Sequence, residues 1–307
     1  MALTVQVLGS AAGGGFPQWN CNCRNCSGFR AGSLKASART QSSIAISSAG
    51  YRWVLCNVSP DVHRQIAAHP PLRPQFGVRD TPIAGAILTD GQIDHAAGLL
   101  LLREHREALD VWATDPVCQD LDTDLPLLLV LDRYCGIRRN RLAADGTAAV
   151  IAALPGIRVS ALPVDGRPGP YSTHRGTARV GDTVALVLRD EKSSRQLFYA
   201  PGLGAVSPHI ERAMQESACV LVDGTFWDDD EMIREKVSTK HARDIGHLPQ
   251  SGPGGMVEVL SRLPPSTRRV LIHINNTNPI LDETSTQRAE LADAGIEVAF
   301  DGMEIRL

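Results

Sequence analysis

Ten short apolar or alternating runs punctuate this chain, at 3–8, 43–47, 52–57, 84–88, 157–162, 183–188, 196–200, 219–223, 270–274 and 296–300. Runs of this length, rich in Val, Ile and Leu, read as strands. Helical periodicity falls between them at 61–68, 95–107, 208–217, 229–237, 254–263 and 283–294. Strands lead and helices interleave, so the apolar faces are buried most simply by stacking sheet on sheet. The order predicts an α/β fold, a four-layer αββα sandwich of two mixed β-sheets with helices on the outer faces. No repeat or linker divides the chain, and a single domain over 1–307 is expected. The stretch 109–153, broken by Pro116, Pro126 and Gly136, reads as an insertion covering the site.

Composition narrows the classes of function. With 307 residues, 43% hydrophobic and 21% charged, the chain has the profile of an ordinary globular protein with a large core. The net charge of -3, without a Lys/Arg stripe, leaves no electrostatic footprint for nucleic acid. The amino terminus lacks a basic, apolar leader, and no segment approaches the roughly 20 apolar residues of a membrane span. A cytoplasmic protein with no membrane partner is expected.

Three of the seven cysteines, Cys21, Cys23 and Cys26, crowd into one short loop. Thiolates that close need a cation between them, and zinc takes such ligands in tetrahedral structural sites that require a fourth donor. His247, in Gly246-His247-Leu248-Pro249, is the candidate. A reducible Cys-x-x-Cys pair with a bystander is the alternative. The preceding Gly13-Gly14-Gly15 lacks a following Gly-Lys-Ser/Thr, so it is read as a turn and not as a phosphate loop.

A second cluster, Thr89-Asp90-Gly91-Gln92-Ile93-Asp94-His95, follows an apolar strand and precedes a helix start. Asp94 and His95 can be aimed into one cleft there, and His273, at the end of another apolar run, supplies a third donor. Two histidines and a carboxylate form a facial triad that leaves positions open on an octahedral ion, as in non-haem iron(II) oxygenases. Each residue has a plainer use: Asp94 as a helix cap, His273 as a core histidine. All three, however, stand at strand ends, where α/β sites gather. Asp223 also ends a strand and is expected to orient a liganding histidine. Asp90 is a candidate further ligand and His241 a candidate proton carrier.

The 89–99 segment resembles the first metal-binding motif of the metallo-β-lactamase superfamily, Thr-His-x-His-x-Asp-His-x-x-Gly-Leu, with Asp90 and Gln92 where the leading histidines stand. The whole chain resembles the PqqB family of pyrroloquinoline quinone (PQQ) biosynthesis. The resemblance is carried by Gly13 to Cys23, Tyr134-Cys135-Gly136, Gly246 to Met256 and His273 to Pro279. It implies a metallo-β-lactamase-like fold whose nearest hydrolytic relatives are cyclic phosphodiesterases with a three-cysteine zinc loop. On their pattern the middle histidine falls near Asp165-Gly166 and the metal-bridging aspartate near Pro201-Gly202; a histidine assisting phosphate cleavage falls near Phe226. One metal position survives, which argues against hydrolysis by a hydroxide bridging two metals.

The resemblance further implies iron(II)- and O2-dependent hydroxylation of the tyrosine ring of a Glu-Tyr precursor derived from a peptide. A soluble carrier of PQQ or its precursor is the alternative, and a residual metallohydrolase the third reading. Arg138 and Arg139 are candidates to hold substrate carboxylates, with Tyr134 and His174 at the rim. Expected partners are the precursor and other PQQ biosynthesis proteins; a homodimer is left open.

Overall fold

Strands that are apolar on every position need cover on both faces, and the chain provides it twice. In the computed structural model, which describes residues 3–307, the first sheet holds β1 (Thr4–Gly9), β2 (Ser43–Ser47), β3 (Trp53–Cys56), β4 (Ile83–Ile87), β5 (Leu109–Ala113) and β6 (Ile137–Arg141). The second holds β7 (Ala149–Val150), β8 (Ile157–Pro163), β9 (Val184–Asp190), β10 (Gln196–Ala200), β11 (Cys219–Asp223), β12 (Arg268–Ile272) and β13 (Ile296–Val298). The last strand, β14 (Glu304–Arg306), returns to pair with β1, giving seven strands per sheet. Both sheets are mixed: β3 to β6 run parallel in one, and β10 to β13 in the other.

One core lies between the sheets, where Val5, Ile46, Val54 and Ile87 meet Val159, Leu186, Tyr199, Leu221 and Ile272. A second seats Ile210, Met214, Met256, Leu260 and Leu291 against the outer face of β10 to β12. A third seats Val62, Leu99, Leu121 and Leu128 against β3 to β5. These layers make the expected αββα sandwich, each fully buried Leu or Ile contributing about 1.5–3 kcal/mol.

The 109–153 stretch is not an insertion across the site. It supplies β5 and β6, which finish the first sheet, and helices Asp115–Thr123 and Leu127–Asp132, which pack on it. The segment that crosses the candidate site is the loop at 164–183 between β8 and β9. Asp90 bridges Thr183, the Val184 amide donates to the Thr89 carbonyl at 2.9 Å, and the Tyr171 hydroxyl donates to the Gly91 carbonyl. The helix expected over 95–107 is also shorter. A turn at Ile93–Ala96 passes into a 3-10 segment at Ala97–Leu102, because Gly98 lies against the Val58–Ser59 backbone; a Cβ there would stand 2.0 Å from the Ser59 oxygen. Among the described residues, no helix is long and apolar enough to cross a membrane.

Candidate metal centre

Parallel strands β4, β11 and β12 deliver their carboxyl ends to one place, the usual address of a site in such sheets. Beyond β4 the chain leaves the sheet at Thr89, whose amide donates to Asn57 Oδ1 at 2.9 Å and whose hydroxyl accepts from Asn57 Nδ2 at 2.9 Å. Asp94 and His95 then lie in the turn at Ile93–Ala96. Beyond β12, His273 takes a left-handed backbone, φ 61°, uncommon for a side chain with a Cβ. That turn carries its ring to Asp94, with Nε2 3.2 Å from Asp94 Oδ2.

Each histidine is fixed through its other nitrogen. His95 Nδ1 donates to the Asp90 carboxylate at 2.8 and 2.9 Å, while His95 Nε2, buried and 3.8 Å from Asp94 Oδ2, has no hydrogen-bond partner among the described residues. His273 Nδ1 lies 2.9 Å from Thr225 Oγ1. The single hydrogen of that hydroxyl goes to Asp223 Oδ1 at 2.6 Å, so at His273 the hydroxyl accepts. That leaves Nε2 of each ring turned toward the Asp94 carboxylate, where a proton or a metal ion must stand between ring and carboxylate. Two ring nitrogens turned toward one carboxylate make a place for a cation, and the ligand atoms of Asp94, His95 and His273 lie within 4.8 Å of one another. The residues fit a metal ion.

The electrostatics agree. Burial alone would lift the Asp94 carboxyl, but the charge of His95 and the bond from His273 hold it well below the carboxylate range. Burial disfavours charge on His95, yet Asp90 and Asp94 outweigh it and raise its pKa to about 9. His273 is lowered, chiefly by burial. The centre opens at Asp94 and His247, whose side chains are 19% and 16% exposed against 3% for His95.

Several expected residues stand elsewhere. His247 is not at the cysteine loop: its Nδ1 donates to Asp223 Oδ2 at 2.6 Å, and its ring stacks on His273 with centroids 5.5 Å apart. With Asp223 and His273 it forms a second group of candidate donors. Asp223 therefore orients His247 directly and reaches His273 only through Thr225. Asp90, expected as a ligand, spends both oxygens on His95, Thr89 and the Gln92 amide. Arg138 and Arg139 lie on β6, an edge strand two places from β4, in paired bonds to Asp110 and Asp122. Their charges are already matched. Tyr134 is 67% exposed beside the same edge. His174 is in the 164–183 loop, with its amide bonded to Ser172 Oγ, and is not among the gathered donors. His241 is half-exposed with Nδ1 3.5 Å from Asp229, away from the cluster.

The side chain that does face the thiols is Asn276. Its Nδ2 lies 3.0 Å from Cys21 Sγ and 3.5 Å from both Cys23 and Cys26 Sγ. Asn276 is three residues beyond His273, so a single loop after β12 serves both clusters. The only hint in the sequence was the polar run Asn275-Asn276-Thr277-Asn278 after an apolar strand. Cys23 hydrogen-bonds Cys26 and lowers the Cys26 thiol to about 7, while the Cys23 thiol itself is raised.

The sandwich and its donors at the strand ends define a class, and residues 52–274 match the model of the beta-lactamase superfamily domain. The chain is 57% identical to coenzyme PQQ synthesis protein B of Azoarcus sp. (strain BH72), over 99% of this chain and 100% of the relative. It is 54% identical to the protein of the same name from Cupriavidus necator, over 99% of each. The chain belongs to the coenzyme PQQ synthesis protein B family. A crystal structure of zinc-bound PqqB from Methylobacterium extorquens matches with TM-score 0.89 at 36% identity, over 99% of this chain and 100% of that one. A diphosphatase of the PhnP family shares the fold, with TM-score 0.68 at 17% identity over 100% and 98%.

Proposed function

We propose that this chain acts in PQQ biosynthesis as a mononuclear iron-dependent hydroxylase of the tyrosine ring in a Glu-Tyr unit derived from a peptide. The observation that carries the reading is the pair of Nε2 atoms, on His95 and His273, that converge on Asp94, while Asp90 and Gln92 are turned to other tasks. That is a donor set for one ion. Asp94, His95 and His273 would hold iron(II) with positions left open for substrate and dioxygen, and the ion would supply the activation of dioxygen. Asp90 and Thr225 hold the two imidazoles in the liganding tautomer. Asp223 keeps His247 oriented beside the open side, where its ring can take up or release a proton near bound substrate. Zinc, in this reading, is held by Cys21, Cys23 and Cys26, with Asn276 offering an amide oxygen after a half-turn of its side chain. Seven free cysteines suit a reducing cytoplasm.

The test supplies anaerobically iron-loaded protein with Glu-Tyr dipeptide and a reductant, then admits oxygen. The expected product carries one added oxygen atom, and His95→Ala and His273→Ala abolish it. Unchanged dipeptide from fully iron-loaded protein overturns the hydroxylase reading; tight binding without a mass change indicates a carrier.

A further inference from the structure

A cavity of about 260 Å3 lies beside the metal centre, lined by Asp165, Gly166, Arg167, Gly204, Arg243 and Gly246. We propose that it is a carboxylate-binding subsite in which Arg167 and Arg243 hold an anionic arm of the substrate; this rests on the hydroxylase reading for the identity of the ligand, but not for the site itself.

The cavity is built into the centre's own framework. Gly246 precedes His247, whose neighbour Leu248 donates its amide to the Leu203 carbonyl at 2.8 Å, and the Leu203 amide donates to Asp223 Oδ2 at 2.9 Å. On the other wall, Gln92 Nε2 donates to the Arg167 carbonyl at 3.0 Å. Gln92 is two residues before Asp94, where the superfamily motif has a histidine. The position has passed from ligating a metal to fastening the Arg167 loop over the metal turn. Small residues keep the space open: a Cβ on Gly204 would stand 3.0 Å from the Asp165 oxygen and 3.2 Å from the Gly246 oxygen.

The two guanidinium groups are uncommitted. Among the described residues neither the Arg167 nor the Arg243 guanidinium has a hydrogen bond or a carboxylate within 4.0 Å, Arg243 meeting Asp229 only through its backbone amide at 3.1 Å, whereas Arg138, Arg139, Arg179 and Arg234 are all paired. Asp165 opposes them with one negative charge, leaving a net positive wall. Guanidinium forks match carboxylate geometry with two parallel bonds, and such charge-assisted bonds are the stronger kind. The volume suits one short acidic arm, not a whole dipeptide, so the remainder would extend toward Asp94 and His247.

The experiment measures equilibrium binding of Glu-Tyr, and of the same dipeptide with its carboxylates amidated, to iron-loaded protein without oxygen. Wild type, Arg167→Gln and Arg243→Gln are compared, with metal content checked in each. Both arginines are exposed. Each substitution is expected to weaken Glu-Tyr binding at least tenfold with iron content unchanged, and to leave the weaker binding of the amidated dipeptide unaltered. Equal affinity of wild type and both variants for Glu-Tyr, or equal losses for both ligands, overturns the subsite. Absence of Glu-Tyr binding to wild type also overturns it. If the arginine dependence holds but no oxygen is inserted on aeration, the subsite stands and the hydroxylase reading alone fails.

Discussion

Asp90→Asn tests the division between residues that hold the ion and residues that hold the ligands. The native carboxylate is 3% exposed and accepts from His95 Nδ1, from Thr89 Oγ1 at 2.9 Å and from the Gln92 amide at 2.9 Å. Asparagine keeps the shape but replaces one acceptor oxygen with a donor and removes a charge that keeps His95 basic. Loss of a carboxylate behind a liganding histidine costs about 10- to 100-fold in metal affinity, about 1.4–2.8 kcal/mol. Asp94→Asn, which removes a ligand, is expected to cost more. The assay is competition for zinc with a chelator near neutral pH, followed by the same titration at rising pH. In the ion-free chain His95 carries a proton up to about pH 9, so wild-type affinity climbs toward that value. With a less basic ring, D90N should climb less steeply. Unchanged affinity in D90N refutes the positioning role; a loss as large as that of D94N makes Asp90 a ligand.

Two further outcomes bear on the loop after β12. Glu231 is 1% exposed, accepts from the Thr277 hydroxyl at 2.5 Å and the Trp227 amide at 2.6 Å, and is pushed by burial from 4.5 to about 7. Its contribution to stability is complete below about pH 4.5 and is lost as pH rises through about 7, on the order of 3 kcal/mol. Glu231→Gln should abolish that slope in urea unfolding between pH 5 and 8, and an unaltered slope refutes the assignment. Asn276→Ala should release zinc to a chelator faster than wild type, while Asn276→Asp, with an oxygen donor, retains it near one ion per chain. Equal retention in N276A removes Asn276 from the zinc site, and zinc-free Cys23→Ser protein that stays folded would refute a structural zinc.

The sequence disclosed most of the strands buried on both faces, though not β5, whose Leu-Asp-Val-Trp-Ala is buried at four of five positions and fell inside the 109–153 stretch. β10 and β11 fall where apolar runs place them, residue for residue. β6 reads Ile-Arg-Arg-Asn-Arg, an edge strand whose side chains pair with Asp110 and Asp122, and so has no hydrophobic period to detect. At the centre, Asp94, His95 and His273 were legible because strand ends announce themselves. The exchange between His247 and Asn276 was not. It depends on how loops separated by more than 200 residues, Cys21–Cys26 and the segments after β11 and β12, settle against one another, and local pattern carries no trace of that. The arginines failed for a related reason: a charge run shows how many guanidinium groups exist, not which of them already have carboxylates.

The two sheets share the donors of the centre between them. Asp94 and His95, with Asp90 behind His95, come from the turn after β4 in one sheet; in the other, Asp223 ends β11 and His273 follows β12, with His247 on the long segment between those two strands. Neither half alone presents Asp94, His95 and His273 together. Metal capture thus becomes a report on assembly: only a chain whose halves have docked in register presents all three donors at once. An ion held there acts as a rivet, resisting any motion that slides one sheet across its neighbour.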